Sequence, residues 1–240
     1  MTQRRERRYS RFTRRVRAVF SKGGGTGAAG SRLLGHRTVR EIRRPAEGFA
    51  SAGAPVECGR SRETVKRSEL AGWAEYGYCA SHSRYFWGLR LHLVCTLHGL
   101  PIAFALTGAK SAERDTLLGM FEVEPSLLDG RAGQTLIGDK HYFGRGFEQQ
   151  LADWGIRLLR LARKGEAERP GAQLFKPLRQ VIESINETLK GQLDLERHRG
   201  RTSGGVIARV LQRVLALTAA IWHNDHTGQP VKRALTAYDH

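Results

Sequence analysis

From Phe86 to Leu97 the chain alternates. Leu89, Leu91, Leu93, Cys95 and Leu97 are spaced by Arg90, His92 and Thr96. A period of two predicts a strand with one buried face, because successive side chains point to opposite sides of a sheet. His98-Gly99 is a turn signal, and Ile102, Phe104 and Leu106 then alternate again. The two runs predict an antiparallel hairpin. His92 alternates within the first of them and reads as structural.

The remaining elements follow from shorter signals. Ser111 is placed to cap a helix whose apolar side is Leu117, Leu118 and Phe121. Gly133 to Gly138 reads as a short apolar strand that stops at Asp139. A helix with Phe147, Leu151 and Trp154 on one face comes next, then a strand over 156–161 and a charged loop over 163–174. Pro177 is placed to start a helix reaching about Lys190. A last amphipathic helix over about 204–223 carries Ile207, Val210, Leu211, Val214, Leu217 and Ile221. Residues 57–84 are polar and turn-rich and read mostly as loop. Strands mixed with helices in this order predict a mixed sheet with helices on its faces.

Charge divides the chain. Its 240 residues carry 40 Lys and Arg against 23 Asp and Glu, a net +17. Residues 1–54 hold 14 basic and 3 acidic residues, a net +11, while 55–240 hold a net +6. Such an excess implies a polyanionic partner, most often nucleic acid. The first 54 residues show no lasting apolar period and are expected to be disordered. They read either as a basic arm that grips phosphates or as an off-frame reading of GC-rich DNA, and Arg outnumbers Lys 32 to 8. The Gly23–Gly30 run is not a phosphate-binding loop, since no Gly-Lys-Ser/Thr follows it. Cys58, Cys79 and Cys95 fit neither a disulfide framework nor a metal knuckle, so a reducing cytoplasm is expected. The most apolar stretch, Val206 to Trp222, is interrupted by Arg209 and Arg213, so no membrane span is expected.

Two carboxylates stand out. Asp139 ends an apolar strand, where carboxylates face the ligand crevice of open α/β sheets. The alternative is a helix N-cap. Glu183 shares a helix face with Arg179 and Lys190 at spacings of four and seven. That pattern is either a surface ion-pair ladder or part of a phosphodiester site, in which carboxylates from different elements hold divalent metal and cations hold the strand. The His223-Asn224-Asp225-His226 tetrad resembles a metal site only loosely.

From Pro55 onward the sequence resembles DDE transposases of bacterial insertion sequences, the retroviral-integrase-like group with an RNase H-like fold. The resemblance rests on Pro55-Val56-Glu57-Cys58, on Ala80 to Gly88, on Leu136-Ile137-Gly138-Asp139-Lys140, and on Leu195-Glu196-Arg197-His198. It rests also on an R-x3-E-x6-K signature at Arg179, Glu183 and Lys190, with Lys176 where the family often has tyrosine. The resemblance implies DNA transposition, with a Mg2+ site (Mn2+ as a substitute) held by Asp139, Glu183 and a third acid. Arg179, Lys190 and Lys140 would hold DNA phosphates. The partners implied are insertion-sequence ends and target DNA, with a homo-oligomer as the active form.

The third acid belongs to an Asp-Ser-Thr-Pro-like turn, which here reads Ala52-Gly53-Ala54-Pro55. Ala52 therefore replaces the first Asp, and Phe49-Ala50-Ser51 lacks strand character. The expected organisation is a non-homologous basic tail over 1–54, a DDE domain over 55–225 with its first strand missing or degenerate, and a tail over 226–240. On that reading the protein is an impaired transposase or a DNA-binding remnant, and Ala52→Asp alone would not restore it. The reading from another class is a basic nucleic-acid-binding protein without metal chemistry.

Overall fold

The structure is a computed structural model and describes residues 48–59, 62–79, 83–129, 132–139, 141–229 and 235. The expected disorder and DNA-gripping arm of residues 1–47 lie outside the described residues, as does Lys140. The elements, in chain order, are β1 (Gly48–Gly59), α1 (Arg62–Arg67), β2 (Glu75–Cys79), β3 (Arg84–Thr96), β4 (Pro101–Gly108), α2 (Glu113–Val123), β5 (Thr135–Ile137), α3 (Arg145–Asp153), β6 (Arg157–Leu159), α4 (Ala172–Glu187) and α5 (Ser203–His226). A 3-10 turn at Pro125–Leu128 follows α2, a π turn at Thr188–Gln192 ends α4, and a 3-10 turn at Leu195–Arg197 leads toward α5.

The hairpin expected from the alternating runs is β3 and β4, joined through Thr96 and Gly99. β3 is long enough to serve two partners on one edge: its first residues pair with β2 and the rest with β4. Its other edge pairs antiparallel with β1, which pairs in parallel with β5, and β5 in turn with β6. The result is a six-stranded mixed sheet in the order β2-β3-β1-β5-β6, with β4 beside β3.

Both faces are covered. Leu89, Leu91, Leu93 and Cys95 pack with Ala54 and Val56 against Val181, Ile185 and Leu189 of α4 and its π turn and against the Val206, Val210, Val214, Leu217, Ile221 stripe of α5. On the opposite face Phe49, Val94, Ala105 and Leu136 pack against Leu117, Met120 and Phe121 of α2 and Phe147 and Leu151 of α3. His92 and Thr96, expected on a wet face, are therefore buried. His92 keeps one hydrogen bond, between Nε2 and Thr107 Oγ1 at 2.9 Å. By length and composition α5 could cross a membrane, with a mean hydropathy of 1.5 over 18 residues. Its apolar stripe is committed to the sheet, which makes it a core helix. Thr202 caps it, accepting the Gly205 N–H at 3.0 Å.

Several expectations need correction. The first strand is neither missing nor peripheral: β1 is the centre of the sheet, and Phe49 and Ala50 are buried. The boundary at residue 54 thus cuts through a strand. The small residues that hid β1 are what its neighbours require. A Cβ on Gly48 would stand 2.4 Å from the Thr135 carbonyl oxygen, and one on Gly88 would stand 2.1 Å from that of Val56. Residues 57–84 are not mostly loop, since they hold the end of β1, α1 and β2. Ser111 does not cap α2, whose N-cap position is Ala112 with no side-chain bond. α4 begins at Ala172, after Gly171 in the left-handed region at φ 85°, five residues before Pro177. The last helix, expected to end at about residue 223, runs to His226, so the domain boundary placed at 225 falls within its last turn.

Candidate active site

The parallel pairing of β1 with β5 fixes the site. Gly48, Phe49 and Ala50 stand opposite Thr135, Leu136 and Ile137. The ladder ends at Ala50 and Ile137; Ala52 lies two residues beyond that pair on β1, and Asp139 two residues beyond the end of β5. Position 52 also stands opposite Leu93 of β3, in mid-sheet.

Asp139 is not a helix cap. The next helix starts at Arg145, after Gly144 at φ 135°. The Asp139 side chain instead closes a turn, Oδ1 accepting the His141 N–H at 2.5 Å, while its carbonyl accepts the Tyr142 N–H at 3.1 Å. Tyr142 then returns to the sheet, where its buried hydroxyl meets Ser51 Oγ at 2.9 Å. Burial, with Glu113 and Asp139 nearby, pushes this phenol above its ordinary range. Gly138 is needed beneath it, since a Cβ there would lie 2.8 Å from the Tyr142 ring. The turn bearing Asp139 is thus bonded to β1 itself.

Glu183 comes from α4. Phe175, Leu178 and Ile182 of that helix pack on Ala50, Ile137 and Leu159 of the three parallel strands, which places Glu183 one residue beyond this contact. It is exposed and paired with Arg179 Nε at 2.8 Å. The ion-pair reading of this spacing is therefore realised, with a stabilisation of only about 0.3–0.5 kcal/mol for an exposed pair. Lys190 lies in the π turn, closed by the Leu193 N–H to Thr188 O bond at 2.9 Å. Wider π turns rotate Lys190 away from the line that a continuous α-helix would give it.

Glu57 is held by Arg84 at 2.8 Å, and the same guanidinium reaches Glu196 at 3.2 Å. His198 Nε2 bonds the Glu57 carbonyl at 2.8 Å, and Cys58 Sγ lies 3.9 Å from the same ring nitrogen. Three of the segments that carried the family resemblance thus meet in a structural knot. Burial pushes the Cys58 thiol up to about 12, so it is no nucleophile. Glu113 is likewise bound, to Arg90 at 2.6 Å, over Gly53, where a Cβ would come 2.8 Å from its carboxylate. Among the described residues no group of three His, Cys, Asp or Glu side chains could hold a metal ion. The His223–His226 tetrad does not form one either: His226 stacks on Trp222 at 5.0 Å.

Two further features had no periodic signal in the sequence. Arg160, 2% exposed, bonds Glu148 at 2.9 Å and Glu166 at 2.7 Å. Phe143, in the turn after Asp139, lies under the Arg163 guanidinium at 3.7 Å and also near Arg114 at 4.9 Å.

A mixed sheet with an antiparallel β1-β3-β4 meander and parallel β5 and β6 beyond β1, with acids at the end of β5 and on the covering helix, is an RNase H-like fold. The sequence matches the family model described as a transposase DDE domain over residues 53–219, and the chain belongs to that family. No curated protein matches it. Among solved structures it is similar to a piggyBac transposase synaptic complex with hairpin DNA, at a TM-score of 0.50 and 7% identity, covering 78% of this chain. The chain spans 50% of that protein. The family match opens at Gly53, one residue after Ala52, whereas β1 already runs from Gly48.

Proposed function

We propose that this chain is a DDE transposase that retains DNA binding and has lost strand cleavage. The observation that supports this reading is the β1–β5 ladder, beyond whose last pair, Ala50 and Ile137, Ala52 and Asp139 each lie two residues. In this family divalent metal supplies the chemistry, activating a water and stabilising the leaving oxygen. Asp139 and Glu183 offer two carboxylates, and the sequence has Ala52 where the family resemblance expects the third. Two metal ions close together need shared anionic oxygen to offset their repulsion, so this donor set does not fit a two-metal site. Nearby acids do not substitute, because Glu57 and Glu113 are held by Arg84 and Arg90.

DNA binding needs no such carboxylate. It draws on the net +17 charge, with Arg179, Lys190 and Lys140 as phosphate contacts and the ends of the parent element as the natural ligand. If about six phosphates are engaged, affinity falls roughly 10³-fold between 50 and 200 mM salt. The experiment pairs two readouts on the unmodified chain. Fluorescence anisotropy with a labelled duplex should show this salt dependence, while a supercoiled plasmid with Mg2+ or Mn2+ should stay unnicked. Nicking that disappears in Asp139→Ala would show that another acid occupies the vacancy. Salt-insensitive binding would remove the phosphate contacts.

A further inference from the structure

The loop after β6 is tied down by a buried guanidinium from the strand side, while a second guanidinium, Arg163, stays at the surface. Arg160 is buried and takes both oxygens of Glu166, at 2.7 and 2.9 Å, together with Glu148. Arg169 takes the other Glu148 oxygen at 2.8 Å. Glu166 also accepts the backbone N–H of Arg163 at 2.7 Å, which fixes the loop tip. Arg160 and Arg169 therefore occupy Glu166 of the loop and Glu148 of α3. Arg163 and Lys164 remain exposed, opposed only by the exposed Glu168.

The Arg163 side chain is held nonetheless. Its guanidinium lies 3.7 Å from the centroid of Phe143, the fourth residue after Asp139. Arg114 approaches the same ring at 4.9 Å and donates to the Phe143 carbonyl. Stacking holds a planar cation in place while leaving its edge donors free for a bidentate acceptor. Two guanidiniums on one ring repel each other, and a polyanion placed against them relieves that repulsion. The ends of β5 and β6 lie side by side, with Gly138 N–H bonded to Leu159 O at 3.1 Å, so Arg163 and Asp139 project from the same end of the sheet.

We infer that Arg163, stacked on Phe143 and backed by Arg114, is a phosphate clamp that seats a DNA strand beside Asp139. The clamp rests on the DNA-binding reading above. Arg163 here is a positioning residue, and Phe143 acts through it. The test measures duplex affinity by anisotropy across a salt series for the full chain and for R163A, F143A, R163A/F143A and R209A, with thermal melts to confirm folding. Arg209 is an exposed arginine on α5 and controls for net charge. R163A should lower the salt slope by about 0.9 and weaken binding roughly eightfold at 0.1 M salt, the counterion release of one phosphate. F143A should lose a similar amount, the double variant no more than R163A, and R209A nothing. Tight binding by the full chain with R163A unchanged, or with R163A and R209A losing equally, overturns the clamp alone. No binding by the full chain overturns the DNA-binding reading and the clamp with it.

Discussion

Phe49 measures whether β1 belongs to the core. It is fully buried, meets Phe121 edge-on at 5.9 Å and 89°, and packs among the residues joining the sheet to α2 and α3. Phe49→Ala removes six heavy atoms from a site closed by the sheet on one side and α2 on the other. Burial and cavity terms for such a change come to about 3–5 kcal/mol, and the edge-to-face pair lies within that range. For a domain of this size, about 4 kcal/mol lowers Tm by roughly 8–16 °C. Phe49→Leu keeps most of the volume and should cost about 1 kcal/mol. Urea and thermal unfolding of the full chain give both values. A Phe49→Ala protein within about 0.5 kcal/mol of the parent would place residues 48–54 outside the folded core and refute the β1 assignment.

Other outcomes follow from the same structure. Mild trypsin should leave a resistant fragment that retains Gly48–Gly59; a stable fragment beginning at Ser61 would contradict the central strand. Burial, with Arg90 nearby, pushes His92 down to about 3, so the folded protein keeps it neutral while the unfolded chain protonates it below its ordinary 6.5. Stability is therefore present above pH 6.5 and falls as pH drops toward 3, by up to about 3 kcal/mol between pH 7 and 4. His92→Gln should flatten that slope in urea titrations, and an unchanged slope would exonerate His92. Arg84→Met removes the ion pair from the Glu57 carboxylate, whose side chain is 9% exposed, and should cost about 1–3 kcal/mol. Adding Glu57→Gln should recover part of the loss, and strictly additive losses would deny the pair.

What was legible in the sequence was what repeats. The alternation of β3 and β4, the stripe of α5 and the apolar run ending at Asp139 all appear where the residues place them, because each buries a periodic face. β1 was hidden for a physical reason. The run from Gly48 to Ala54 has little strand propensity, yet it lies between two strands, with the Thr135 carbonyl too close to Gly48 for any side chain, and tertiary context overrides propensity. β2 was masked by the turns around it, though Tyr76 and Tyr78 alternate with Gly77. The family residues singled out Asp139 and Glu183 as candidates. They could not disclose that Glu57, Arg84, Glu196 and His198 form one knot, or that Phe143 and Arg163 meet across twenty residues, since neither contact leaves a period in the chain.

The presence of β1 reverses one expectation. With Ala52 inside β1 and paired with Leu93 of β3, a carboxylate introduced there has a strand backbone to aim it. The most direct measurement compares the parent chain, Ala52→Asp, and Ala52→Asp combined with Asp139→Ala or Glu183→Ala, in a nicking assay with Mg2+ or Mn2+. The plasmid carries the DNA ends that flank the coding sequence, and metal binding is followed in parallel by calorimetry. The account predicts no cleavage by the parent, metal-dependent nicking and tighter metal binding by Ala52→Asp, and loss of both in either double variant. Cleavage by the parent chain, or an Ala52→Asp protein that folds and binds DNA yet neither binds metal more tightly nor nicks, would contradict it.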